Sequence, residues 1–391
     1  MISDPPMTDG RSPVAHSTAL GPAESQSGGV GSTAPRVTVS FVTDRNRLPA
    51  GDDAMFGADF PDAASPRMVR GTIEATLTSE IWVPIPSTLR IQASRSALPQ
   101  NGENLRSSIE SGDGVASAVD EFLSAKPSAK DAIPAERHRI FFVHGYRNSF
   151  SDSISSAAQL LHDHQASDIL CFSWPTSNEL LGYWHDQANA PRAGQDLALL
   201  FGRLLQLLRA ATSSRAPVHV IAHSMGNLAL SAAVQAIQHS KAELLQRKVL
   251  EQVLLCAADV DHMTLGDPRE LKSLPQLAKA VSVYTNAGDS PLAFSAIVNM
   301  RARLGAFGPY DFGTMPGNVF WIDCSDLLTA EGDNSSHSYY RTSPGVRSDL
   351  GQVLAGKPQD QIAPRQRVGQ TNRYILPFNP RTPHARARGY S

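Results

Sequence analysis

Cysteine is scarce here. Cys171, Cys256 and Cys324 are the only three in 391 residues, scattered and with no CxxC pair. That excludes a disulfide framework and a thiolate zinc site, and each lies in an apolar run as a buried free thiol would. Surplus charge is missing too. With 35 basic against 37 acidic residues, no overall field draws the chain to nucleic acid or an anionic membrane. No apolar stretch approaches the ~20 residues of a transmembrane helix. Nothing before Val37 has the basic start and the apolar run of ~7–15 residues of a secretory signal, so the expected location is cytoplasmic. No GxGxxG, P-loop or HExxH occurs. Dinucleotide, phosphoryl-transfer and zinc-hydrolase chemistry are disfavoured, and no cofactor or metal is expected.

What is present is a hydrophobic fraction of 41%, enough for a substantial core, in a strongly patterned middle. Residues 1–36, rich in Ser, Gly, Pro and Ala, read as a disordered leader. Val37–Thr43, Gly71–Thr78 and Ile81–Ile85 are β-branched and read as early strands. Residues 98–118 read as a polar loop, and Val119–Leu123 as part of a short helix. From Arg139 onward short apolar runs alternate with amphipathic segments. The runs are 139–143, 168–173, 218–222, 249–257, 280–284 and 319–322. Helical spacing marks 151–164, 192–211 and 225–237, and the last helix is expected to end near Leu354. Apolar strands alternating with helices predict an α/β fold: a mostly parallel central sheet covered on both faces, with extra N-terminal strands. The catalytic domain is expected over 37–355, and 356–391 as a basic irregular tail.

The strongest chemical signal is Ala222-His-Ser-Met-Gly226, between the strand at 218–222 and the helix that follows. This is the nucleophile-elbow pattern Gly-x-Ser-x-Gly with Ala first. The chain must turn sharply there, so the residues two before and two after Ser224 must be small. The competing reading is an ordinary helix N-cap serine. Upstream, Ile140-Phe-Phe-Val-His144-Gly145-Tyr146 ends a strand in a glycine turn. An acyl-transfer intermediate needs backbone donors for its oxyanion, and the N–H groups of Met225 and Tyr146 are the candidates. A serine also needs a base and an orienting acid, in chain order Ser, acid, His. His239, His262, His337 and His384 follow Ser224. His337, in a polar loop after the last strand, fits the base. Asp289, after the strand at 280–284, fits the acid, and it also fits an N-cap before Pro291. Asp259 and Asp261 remain rivals. His223 reads as a packed neighbour. Trp174, Tyr183 and Trp184 are candidate substrate-binding residues, Asp186 a loop anchor, and Met300–Phe312 a candidate cap.

These motifs resemble the alpha/beta-hydrolase superfamily. More narrowly, the chain is similar to a bacterial branch catalogued as a domain of unknown function with presumed serine-esterase activity. The shared stretches are Phe41-Val-Thr-Asp-Arg45, Phe142-Val-His-Gly-Tyr-Arg-Asn-Ser-Phe150, Phe172-Ser-Trp-Pro175, Tyr183 with Asp186, Ala222 to Asn227, Tyr284 to Asp289, and His337-Ser-Tyr-Tyr340. They span roughly 37–355. Arg147 departs from the Asn common in that branch. The resemblance implies the alpha/beta-hydrolase fold with a Ser224–Asp289–His337 triad. The expected substrate is a small-molecule or lipid ester. Acyltransferase, thioesterase or amidase chemistry with the same residues is the alternative, as is a non-catalytic binding protein. From Gly356 to Ser391 seven residues are basic and one is acidic, so the near-neutral total conceals an acidic body and a basic tail. That split predicts a tail docked on the body or on an acidic partner.

Overall fold

The computed structural model describes residues 34–378 except 63, 64, 66, 94–101, 113, 126–137, 178, 180, 181, 212–214 and 334. The expected leader therefore lies almost wholly outside the described residues, as does the tail beyond Phe378. The chain opens with β1 (Arg36–Thr43), β2 (Val69–Thr78), β3 (Ile81–Pro84) and β4 (Arg90–Ala93), then α1 (Gly102–Ser111) and α2 (Ser117–Ser124). The alternating region runs β5 (Arg139–Val143), α3 (Phe150–Asp163), β6 (Asp168–Ser173), α4 (Tyr183–Ala210), β7 (Val218–His223), α5 (Gly226–Lys241), β8 (Leu250–Cys256), α6 (Leu274–Leu277) and β9 (Ala278–Thr285). After it come α7 (Ser290–Asn299), α8 (Leu304–Phe307), β10 (Val319–Asp323), α9 (Ser325–Glu331), α10 (Tyr339–Thr342) and α11 (Pro344–Leu354). The short strands β11 (Gln366–Arg367) and β12 (Arg373–Ile375) end it.

Among the described residues these strands form one sheet in the order β11-β12-β10-β9-β8-β7-β5-β6-β1-β2-β3, with β4 on β2. Pairing is parallel from β1 to β12 along that path, and antiparallel for β2, β3, β4 and β11. The run of apolar residues in β5 and β7 follows from covering both faces. Phe141, Val143, Val220 and Ala222 pack with the α4 and α5 leucines, whereas Ile140, Phe142 and Ile221 pack with Ile154 of α3 and Leu350 of α11. α3 starts at a capping box, with Ser149 Oγ accepting from the Asp152 N–H and Asp152 accepting from the Ser149 N–H.

Three expectations need correcting. The 98–118 loop contains α1, whose polar sequence hides a two-residue apolar stripe, the buried Leu105 and Ile109. Gly202 on α4 admits Ile109: a Cβ there would lie 2.4 Å from Ile109 Cδ1. Helix α4 begins nine residues earlier than its spacing indicates, at Tyr183, and runs through Pro191. The tail is not irregular throughout, for β12 extends the sheet beside β10 and Ile362, Tyr374 and Leu376 are buried. Within the tail, Arg365 Nε donates to Asp349 Oδ2 at 2.7 Å, with both side chains buried. That much of the tail docks on the body.

The chain reverses its direction of progress across the sheet at β5, with β6 on one side and β7 on the other, and such a switch point opens a crevice at the strands' carboxyl ends. Here the crevice is closed at its base by direct backbone contact. A Cβ on Gly226 would stand 2.4 Å from His144 O and 2.8 Å from Val143 O. Alanine ordinarily gains over glycine in a helix. At Gly226 the fixed carbonyls reverse the sign, and Gly226→Ala should destabilise the fold by about 1–3 kcal/mol, read by urea unfolding. A variant more stable than wild type would contradict this contact.

At the opposite, amino end of the sheet, His219 is buried and neither ring nitrogen has a protein partner among the described residues. Burial, with His138 and His164 near, pushes its pKa well down. A histidine held neutral when folded takes up a proton on unfolding, so its contribution falls as pH drops below the ordinary histidine value. His219→Leu should remove that dependence. Relative to the variant, wild type should lose about 1.4 kcal/mol per pH unit below that value, measured by urea unfolding at pH 7, 6 and 5. Parallel pH profiles would rule it out.

Candidate active site

Ser224 sits between β7 and α5 with φ +53°, in the left-handed region that non-glycine residues enter at a cost of about 1–3 kcal/mol. Hydrogen bonds hold it there. Its N–H donates to Cys256 O at 2.9 Å, and its carbonyl accepts from Asp259 N at 3.1 Å and Asn227 N at 3.0 Å. Asn227 Nδ2 also reaches back to Ser224 O at 3.0 Å and Ala222 O at 3.1 Å. Asn227 closes the turn, a role the motif does not reveal because the elbow pattern specifies only the small residues and the serine.

Three side chains from separate loops meet at this turn. His337 Nε2 is 2.6 Å from Ser224 Oγ, and His337 Nδ1 is 2.8 Å from Asp289 Oδ2 and 3.0 Å from Oδ1. With Nδ1–H donating to the carboxylate, Nε2 is left to accept the serine proton. Asp289 is also the N-cap of α7, accepting the Leu292 N–H on Oδ1 at 3.0 Å. Asp289 thus accepts from both the His337 ring and the Leu292 N–H, since a carboxylate has lone pairs for both. The rivals are engaged elsewhere. Asp259 accepts from Tyr183 Oη at 3.1 Å and from Ser295 Oγ, with Arg303 beside it, and Asp261 pairs with Arg301 at 3.0 Å.

His223 packs beside this line: its Nε2–H donates to the carbonyl of His337 at 2.9 Å, so it props the backbone of His337. Burial, then the neighbouring His337, pushes its pKa well down. His144 behaves alike: Nε2 accepts from Trp174 N at 3.0 Å, which leaves Nδ1–H to donate to Gly145 O at 2.7 Å. Burial, with Arg45 close, holds its pKa at about 3.

The loop after β5 carries the candidate oxyanion donors. Among the described residues no protein acceptor takes the N–H of Tyr146 or Met225. Gly145 admits the elbow, since a Cβ there would lie 2.7 Å from Ser224 Cβ and 2.8 Å from His223 Nδ1. The loop is pinned from beneath. Arg147 N donates to Asp186 Oδ2 at 3.1 Å, Asn148 Nδ2 to Tyr146 O at 2.7 Å, and Arg45 Nη2 to Asn148 O at 2.6 Å. Asp186 also accepts the Ser177 N–H at 2.7 Å, and Arg45 Nε donates to Ser173 Oγ at 3.0 Å. Burial lowers Arg45 to a pKa of about 10, which leaves it charged near neutrality. Asp186 thus anchors the loop, and Arg45 is a support the sequence reading did not assign. Its signal was an arginine just past a β-branched strand, where a charge that becomes buried must be paired.

The aromatic candidates separate. Trp174 is fully buried, stacked on His144 with Nε1 donating to its carbonyl at 2.8 Å, so it supports the loop and faces no crevice. Tyr183 lies under Tyr146, ring centroids 5.7 Å apart, with its hydroxyl on Asp259. Trp184 is exposed beside it. No group of three or more His, Cys, Asp or Glu side chains suited to a metal ion occurs among the described residues. No described helix is long and apolar enough to cross a membrane.

The family described as "Alpha/beta hydrolase of unknown function (DUF900)" matches residues 124–356, which contain Ser224, Asp289 and His337. No curated protein matches the chain. Similar solved structures include polyneuridine aldehyde esterase, at 11% identity over 56% of this chain and 98% of that one, with a TM-score of 0.23. Another is the peroxisomal alpha-beta-hydrolase Lpx1 of Saccharomyces cerevisiae, at 9% identity over 83% and 88%, with a TM-score of 0.26. The family match covers more than half of the sequence, and the sheet order and helix-covered faces agree with it. The chain belongs to the alpha/beta hydrolases of unknown function (DUF900).

Proposed function

We propose that this protein is a serine hydrolase that cleaves carboxylic esters through an acyl-enzyme. The observation that carries the reading is the continuous hydrogen-bonded line from Ser224 Oγ through His337 to Asp289, at 2.6 and 2.8 Å. Ser224 Oγ attacks the ester carbonyl while His337 Nε2 takes its proton. Asp289 keeps the imidazole in the correct tautomer and stabilises its charged form. The carbonyl oxygen, now an oxyanion, is received by the Met225 and Tyr146 N–H groups. Collapse expels the alcohol, which leaves with the proton from His337. A water then attacks the acyl-enzyme, giving its proton to the same imidazole, and the acid and free serine are restored. The backbone strain at Ser224 serves this chemistry by lifting the hydroxyl clear of the sheet.

Ser224→Ala should lower kcat for a short p-nitrophenyl ester by at least about a thousandfold, with an unchanged circular dichroism spectrum. It should also abolish labelling by a fluorophosphonate probe. Retained turnover in this variant sinks the assignment. Asp289→Asn should cost about ten-thousandfold in kcat through the wrong histidine tautomer. An Asp289→Asn enzyme within tenfold of wild type would move the acid role away from Asp289.

A further inference from the structure

A cleft of about 1240 Å³ lies beside the site, along the loop that follows β8 and the segment that leads into α8. Its wall includes Leu228 and Ser231 of α5, Val260, Leu265 and Met315. Neither Ser224 nor His337 is part of that wall, but Asp259 is, and its N–H donates to Ser224 O at 3.1 Å. The cleft therefore begins at a residue bonded to the serine's own peptide.

Most of the charges around it are already spent. Arg301 pairs with Asp261 at 3.0 Å and Arg269 with Asp267 at 3.0 Å, while Lys272 and Glu270 stand on the rim. Arg303 differs. Its side chain is only 7% exposed, yet its guanidinium donates to no protein acceptor among the described residues, and its Nε is fully enclosed. Arg303 Nε forms an ion pair with Asp259 Oδ1 at 3.5 Å without hydrogen-bond geometry, and that carboxylate also accepts from Tyr183 and Ser295. The charge of the guanidinium is thus balanced, while its N–H groups remain open to an acceptor from outside the fold. Its fork matches an oxyanion such as a carboxylate or phosphate, and the apolar wall suits a short hydrocarbon stretch before it.

We infer that this cleft is the distal substrate pocket and that Arg303 binds an anionic group there, so the preferred ester carries a second, negatively charged end. This rests on the ester-hydrolase reading for the reaction, while the anion site itself is tested separately. Glutarate, titrated calorimetrically into the full chain, should bind wild type and weaken about ten- to a hundredfold in Arg303→Met. Arg303→Lys, which keeps the charge, should fall between them and guards against a variant that merely misfolds. No binding to wild type, or equal binding to folded Arg303→Met, overturns the site. In the kinetic arm, wild type should favour the p-nitrophenyl half-ester of glutaric acid over the neutral pentanoate by about tenfold or more in kcat/KM. Arg303→Met should lose that preference, its kcat/KM for the half-ester falling to that for pentanoate. Turnover of pentanoate without preference for the half-ester overturns the substrate class. Glutarate binding without Ser224-dependent turnover of either ester strikes the hydrolase reading and upholds the anion pocket.

Discussion

Backbone pressed on backbone at the β5–β7 switch point is the constraint from which the site follows. Gly226 must come against the carbonyls of Val143 and His144, and Gly145 against Ser224, for the two loops to share one crevice. Among the described residues the N–H groups of Met225 and Tyr146, on either side of this contact, take no protein acceptor. The cost is a strained serine. It is met by hydrogen bonds from Cys256, Asp259 and Asn227, each worth about 1 kcal/mol net. Those partners come from β8, the loop after it, and α5, so the strain is held by the sheet's neighbouring connections and not by the turn alone.

Around this contact the polar residues divide by whether solvent reaches them. Arg45, His144, Asp186 and His223 are buried, each hydrogen-bonded to backbone groups of the loops around Ser224 and His337. Their protonation is fixed by burial: both histidines are kept neutral and the arginine stays charged. His337 alone among the site histidines keeps partial exposure, 13% of its side chain, with an acid behind it and a hydroxyl in front.

Much of this was legible in the sequence, for identifiable reasons. Ser224 stood out because the elbow demands small neighbours at fixed positions. His337 and Asp289 followed from chain order, although their meeting across the sheet could not be read from spacing. The strands at 139–143 and 168–173 were exact because a strand buried on both faces has an unbroken apolar middle, here Ile140–Val143 and Ile169–Phe172, bounded by polar residues. Helix α1 was hidden because two buried residues make no period, and the start of α4 because Pro191 reads as a break. Arg45, Asn148 and Asn227 lie in the shared stretches, but the contacts through which they act are long-range or local backbone bonds that residue spacing does not specify. Trp174 shows the same limit from the other side. An aromatic at a strand end can serve a pocket or a core, and only its neighbour His144 decides.

The charge split between body and tail acquires a structural sense at β9. Tyr284 Oη donates to Asp349 at 2.7 Å, and Arg365 from the tail binds both, at 3.2 and 2.7 Å. Tyr284 O in turn accepts from Tyr339 Oη at 2.8 Å, two residues beyond His337. The loop of His337 is thus tied to β9 by Tyr339 and to β7 by His223, while Arg365 of the tail pairs with the carboxylate of Asp349. Without Arg365, Asp349 would be a buried charge lacking its counter-ion, next to the strand that presents Asp289. A basic segment after the last helix is therefore part of the hydrolase fold's support, and the acidic body it complements lies in part directly under the site.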